Sequence, residues 1–181
     1  MLIGVFALII ILGGYLAWQY LSAPSEDPPE IPTTSLLSTY EFTMNDMNGT
    51  SFSLTNYRGK VILLHLMAVG CSGQIYQIND YQLTQLKTVC DSYCGKDNVT
   101  IISVAVATCE NSGLSWIRET YDVNWFFGND VDDGTIDIAQ NYGVYGDGTI
   151  VIIDKNFQVH EAYSAIDATT LKSEINQLLE T

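Results

Sequence analysis

Four cysteines, Cys71, Cys90, Cys94 and Cys109, and two histidines, His65 and His160, carry most of the reactive chemistry of this chain. Cys71 follows an apolar run, VILLHLM, and precedes a stretch with helical spacing that begins near Gln74. A sulfur at such a turn meets unpaired amide N–H groups and the positive end of a helix dipole, so its thiolate is stabilised. Its pKa falls and the sulfur becomes a nucleophile near neutral pH; the alternative is an inert buried thiol. Cys90 and Cys94 are spaced four apart, before Gly95, where a helix should end. They share one helix face and are candidates for a local structural disulfide in an oxidising compartment. As a metal site the pair lacks nearby ligands. His65 lies inside an apolar strand and His160 in a hairpin near the C-terminus, so both are read as structural rather than as ligands.

The elements that must position these groups begin at Tyr40. Residues 40–44 alternate in polarity, Asn48-Gly49 is a hairpin signal, and residues 51–54 return. The run at 61–67 is nearly continuous in apolar residues, as expected of a central strand buried on both faces. Residues 74–94 carry Ile75, Ile78, Leu83, Leu86, Val89 and Tyr93 near helical spacing, and 99–106 is a second buried strand. Residues 113–121 form a helix with Leu114, Trp116 and Ile117, and 134–142 a shorter one. Residues 149–154 and 159–163 pair as a hairpin around Lys155-Asn156. Asp167 caps a last helix whose Leu171, Ile175, Leu178 and Leu179 face inward. Trp116, Trp125, Phe126 and Phe127 read as core or edge packing rather than a ligand box. The order β-β-β-α-β-α-α-β-β-α implies an α/β fold: a mixed central sheet with helices on both faces.

Ahead of this domain (residues 40–181) stand two other segments. Residues 2–18 (LIGVFALIIILGGYLAW) are uncharged and mostly apolar, and the run extends to Leu21. At ~1.5 Å per residue a helix of that length roughly spans a hydrocarbon core. Tyr15, Trp18 and Tyr20 sit where an aromatic belt would. A cleaved signal peptide is the alternative, but no Lys or Arg precedes the run, and the one candidate cleavage, after Ala23, puts Pro24 next to the cut. Residues 1–21 are therefore read as an uncleaved, single-pass transmembrane anchor. Residues 22–39 hold all four prolines and read as a spacer that cannot fold alone. Neither flank of the anchor offers a Lys or Arg to orient it. A minimal N-terminal tail fits an extracytoplasmic domain, where Asn48-Gly49-Thr50 and Asn98-Val99-Thr100 would be glycosylation sequons. The formal net charge of −14, with only seven scattered basic residues, argues against a nucleic-acid partner. It is read as a solvated, self-repelling surface.

Four stretches in order resemble the redoxin superfamily of thioredoxin-like proteins, and within it the membrane-anchored extracytoplasmic thiol–disulfide oxidoreductases. SLTNYRGKVILL (53–64) resembles the family's sLsdyrGKvvll, and HLMAVGC (65–71) stands where the family has nFWAtWC. YGVYG (142–146) matches YGVrG, and IIDKN (152–156) matches lIDkdG. The resemblance runs from about Phe42 to Leu179. It implies a thioredoxin-like fold with Cys71 at the redox position, and it breaks at two points. The family motif is C-x-x-C, but this chain reads Cys71-Ser72-Gly73-Gln74, with Gln74 in place of the resolving cysteine. The family's cis-proline falls where this chain has Asp147-Gly148, so Gly148 replaces it. The peroxidase pattern P-x-x-x-T-x-x-C is absent, since Leu64 and Ala68 hold its Pro and Thr positions. The copper-carrying relatives place C-x-x-x-C at the strand–helix turn, not at a helix end as here.

The resemblance implies a membrane-tethered thiol–disulfide oxidoreductase, or a single-cysteine derivative, acting on extracytoplasmic protein thiols and disulfides or served by a reducing partner protein. Cys71 would be the nucleophile, and its mixed disulfide must be resolved. An external thiol, a second copy of the chain, or Cys109 could do so. In this fold the strands before Cys71 and Cys109 are parallel neighbours, so their C-terminal ends lie side by side. Gln74, Asp147 and Gly148 would line the substrate groove. No cofactor is implied, because sulfur itself performs the exchange. The rival reading is a catalytically degenerate thioredoxin-fold module that holds a protein partner without turning it over.

Overall fold

A computed structural model describes residues 39–67, 69, 77–105, 111–129, 138–143 and 148–181. The expected anchor and spacer at 1–38 lie outside the described residues. Among the described residues no helix is long and apolar enough to cross a membrane.

The opening hairpin pairs β1 (Thr43–Asn45) with β2 (Ser51–Ser53) in antiparallel register, Met44 opposite Phe52. Asp46 builds its turn: Oδ1 accepts from the backbone N–H of Asn48 at 2.8 Å and of Thr50 at 2.7 Å. A 3-10 turn at Leu54–Tyr57 leads into β3 (Val61–Met67). The remaining elements are α1 (Gln77–Tyr93), β4 (Val99–Ala105), α2 (Asn111–Thr120), β5 (Phe126–Asn129), α3 (Ile138–Asn141), β6 (Thr149–Ile153), β7 (Val159–Tyr163) and α4 (Ala168–Glu180). Five strands form the main sheet in the order β5-β4-β3-β6-β7. β3 runs parallel to β4, β4 parallel to β5, and β6 antiparallel to both β3 and β7.

β3 is central and every one of its residues is buried, as its unbroken apolar run requires. Alternation then sorts its side chains onto two faces. Val61, Leu63 and Met67 join a core with Leu83, Leu86 and Val89 of α1, Leu114 and Ile117 of α2, and Leu171, Ile175 and Leu178 of α4. Ile62, Leu64 and Leu66 join the other core, with Phe42, Met44 and Phe52 of the hairpin region and Ile138 of α3. Two crossovers stepping the same way, β3-α1-β4 and β4-α2-β5, place both helices on one face, as right-handed connections require. Asp167 caps α4 by accepting from the N–H of Thr169 and Thr170.

Two expectations are corrected. The expected order has no strand between the helices at 113–121 and 134–142, whereas Phe126–Asn129 is a short strand pairing with β4, Ile102 opposite Phe126; the core or edge packing expected of Trp125 and Phe127 holds, both being buried. The aromatic residues of β5 gave no alternation long enough to mark a strand. Trp116 is not core; it is 51% exposed. Leu114 and Ile117, three apart, define the buried stripe of α2, and position 116 falls outside it.

Candidate active site

Three chain segments meet one end of the sheet. β3 and β4 finish there together, with Met67 paired to Ala105, and β6 starts there, with Thr149 opposite Leu66. In open parallel sheets this carboxyl end is where sites are built. Cys71 comes four residues after Met67, and Cys109 four residues after Ala105. Cys71, Gln74, Cys109 and Asp147 themselves lie outside the described residues. Gly148 is described.

Directly beneath this end runs a buried polar chain. His65, Ser103 and Gln82 are all 0% exposed, beside a core of aliphatic and aromatic side chains. Trp125 Nε1–H donates to Ser103 Oγ at 3.0 Å. Ser103 Oγ lies 3.2 Å from His65 Nδ1, and His65 Nε2 lies 3.0 Å from Gln82 Oε1. Gln82 Nε2 donates to the carbonyls of Gly148 at 3.3 Å and Ser164 at 2.9 Å. Both amide protons of Gln82 being committed, its Oε1 accepts, so His65 carries its proton on Nε2 and accepts at Nδ1 from the serine hydroxyl. Burial is the main cause that lowers the His65 pKa to about 4, partly opposed by the bond to Gln82. His65 is a neutral structural link. His160 is also tied, to Glu174 at 3.0 Å.

Gly148, immediately before β6, ends the chain of hydrogen bonds. It is buried with φ +94°, and a Cβ there would sit 2.2 Å from Asn79 Oδ1 and 3.0 Å from Gln82 Oε1. Only glycine holds that left-handed conformation at such close approach. The backbone where the resemblance leads one to expect a cis-proline is therefore pinned by α1 through Gln82. Sequence reasoning missed Asn79, Gln82 and Ser103. The usable signal was His65 itself, because a histidine in a fully buried strand demands polar partners.

At the far end of α1, Cys90 and Cys94 form a disulfide with a Cα separation of 4.6 Å. Among the described residues no cluster of three or more His, Cys, Asp or Glu side chains could hold a metal ion.

No protein-family model matches the chain, and no curated protein sequence does. Solved structures do. A thiol:disulfide interchange protein of the thioredoxin family from Chlorobium tepidum superposes with a TM-score of 0.65 at 12% identity, over 81% of this chain and 98% of that one. A thiol-disulfide oxidoreductase from Bacteroides fragilis gives 0.64 at 15% identity, over 78% and 98%. A secreted disulfide oxidoreductase from Mycobacterium tuberculosis gives 0.62 at 18% identity, over 76% and 96%. The fold is that of thioredoxin. The described part of this chain supplies the central strand that precedes Cys71 in sequence, most of the helix that follows it, and Gly148 immediately before β6.

Proposed function

We propose that this chain is a membrane-tethered thiol–disulfide oxidoreductase. Residues 1–21 form its anchor, and Cys71 is its nucleophile toward extracytoplasmic protein thiols and disulfides. The observation that carries the reading is the thioredoxin fold with Cys71 placed by chain order between β3 and α1. In the forward step the Cys71 thiolate attacks a substrate disulfide, forming a mixed disulfide and releasing one substrate thiolate. A second thiolate then attacks Cys71 Sγ, forming a new disulfide to Cys71 and releasing the other substrate thiolate; Cys109 is one candidate, because Met67 and Ala105 are register partners and each cysteine follows by four residues. Without Cys109 the resolving thiol comes from solution or from a reducing partner protein.

The test uses the full-length chain in detergent micelles. Under this reading Cys71 alkylates readily at neutral pH and Cys71→Ser abolishes reduction of a protein disulfide. Disulfide mapping after thiol blocking then shows a Cys71–Cys109 bond that opens and closes reversibly, or a Cys71 adduct with the outside thiol. Slow alkylation of Cys71 and no loss on Cys71→Ser would reject it. A second reading, a partner-binding domain without turnover, draws on Gly148, whose φ of +94° gives the groove wall a backbone no proline can adopt. That reading predicts partner capture unaffected by Cys71→Ser. Membrane tethering is checked by deleting residues 1–21, which should move the protein from the membrane to the aqueous fraction.

A further inference from the structure

A second sulfur site lies at the other end of the domain. Its two cysteines are not equivalent. Cys90 is 3% exposed, and its Sγ stands 3.2 Å from Asn124 Oδ1, a contact and not a hydrogen bond while the sulfur is bridged. Cys94 is exposed and forms part of the wall of a cleft of about 200 Å³, together with Tyr57, Tyr93, Trp125 and Phe126. The cleft also takes in Val99, the first residue of β4, which pairs with Val61, the first residue of β3. Cys71 follows the opposite end of β3, so about 20 Å of strand separates the two ends. Charge marks the cleft as well. Lys60 Nζ lies 5.6 Å from the Tyr57 ring centre and Lys96 Nζ 4.9 Å from that of Tyr93. Two of the seven basic residues in a chain of net charge −14 thus stand against rings that line the cleft, without lining it themselves. Asp91 lies within the bridged loop and Asp97 three residues beyond it in sequence, and neither lines the cleft.

We propose that the Cys90–Cys94 bridge is an exchangeable disulfide and that the aromatic cleft beside Cys94 takes a small anionic thiol. The thiolate attacks Cys94 Sγ, the exposed side of the bridge. A new S–S bond forms to the ligand, and the Cys90–Cys94 bond breaks with its electron pair on Cys90. Cys90 takes up the proton that the ligand thiol gave to water, and the resulting S–H donates to the waiting Asn124 Oδ1. A second thiolate attacks the ligand sulfur, releasing Cys94, which is protonated in turn. Two thiols become one disulfide while the protein pair gains two electrons and two protons. The lysines draw the ligand's carboxylates to the rim, and the rings pack against its carbon skeleton.

The test is independent of Cys71, because it uses the full-length chain carrying Cys71→Ser and Cys109→Ser in detergent micelles. The probe is glutathione at neutral pH and low ionic strength, followed by acid quenching, alkylation and peptide mass spectrometry. Glutathione should appear on Cys94 with Cys90 free to alkylate, in the absence of denaturant. Adding Lys60→Glu and Lys96→Glu should slow adduct formation about threefold to tenfold with glutathione, and less than about twofold with neutral 2-mercaptoethanol. Circular dichroism confirms that both proteins are folded. A bridge that opens only in denaturant, or adducts shared equally between the two cysteines, overturns the exchangeable disulfide. Charge reversal that slows both thiols alike, or neither, overturns the anionic ligand.

Discussion

Replacing Gly148 with alanine tests how the backbone before β6 is held. The native backbone has φ +94°, and the added Cβ would lie 2.2 Å from Asn79 Oδ1 and 3.0 Å from Gln82 Oε1. The left-handed conformation costs an alanine about 1–2 kcal/mol. Relieving the overlap means moving the Asn79 amide or lifting the loop, and lifting the loop weakens the bonds from Gln82 to the carbonyls of Gly148 and Ser164. Each such bond is worth about 1 kcal/mol. The total is about 3–4 kcal/mol, a drop of roughly 10 °C in Tm for a domain of this size. Urea unfolding at 25 °C, followed by tryptophan fluorescence, measures it. Asn79→Ala in the same protein should recover the overlap but not the backbone cost, so the double-mutant cycle should show a coupling of about 1 kcal/mol or more. A loss below about 1 kcal/mol, or no coupling to Asn79, would refute the reasoning. Gly148→Pro should be worse than alanine, because proline fixes φ near −65°.

Other outcomes follow from the same packing. The folded-state pKa of His65 is lowered from 6.5 to about 4, so between those values the unfolded chain binds the extra proton. Stability is therefore complete above pH 6.5 and is lost as pH falls toward 4, by roughly 3 kcal/mol. Denaturant midpoints across that window should slope in the wild type and flatten in His65→Gln. At Asp46 desolvation, the largest single influence, is outweighed by hydrogen bonds from Thr50 and Asn48, and at Asp167 the backbone N–H of Thr170 leads; both pKa values are lowered, so these groups contribute their own loss only near and below pH 4. Gln82→Glu keeps the shape but replaces a donor with a carboxylate facing two carbonyls. It should destabilise the domain and raise the His65 pKa, as followed by NMR titration, and an unchanged pKa would count against the assigned hydrogen-bond direction. On α2, Ile117→Ala should cost about 2–5 kcal/mol and Trp116→Ala within about 0.5 kcal/mol of nothing, checked by urea unfolding.

The fold was legible wherever a physical constraint acts on consecutive residues. VILLHLM must be buried on both faces, Asn48-Gly49 must turn, and Asp167 must cap, and each does so in the structure. Legibility failed where the constraint lies between distant residues. β5 has only four residues, too few to show a period, and exists because Ile102 to Ala105 offer it a free edge. Trp116 was misplaced because apolar character was read without its angle on the helix. Gln82 looked like any polar helical residue; its position becomes meaningful only beside His65, Gly148 and Ser164, which lie 17, 66 and 82 residues away in sequence.

The buried chain also explains why position 148 takes a glycine. A proline there would need φ near −65°, whereas the bond from Gln82 reaches a carbonyl set by φ +94°. Once Gln82 gives its two protons to Gly148 and Ser164, it can only accept from His65. His65 can then only accept from Ser103, and Ser103 in turn takes the proton of Trp125. Every donor points the same way, from the sheet edge at β5 to the loop before β6. Protonating His65 would put an N–H at Nδ1 against the serine hydroxyl and leave the serine proton without its acceptor. This conflict adds to desolvation in keeping the imidazole neutral. Gly148 is the end point of a one-directional hydrogen-bond chain that holds its backbone through Gln82, and substituting it disturbs the polar core.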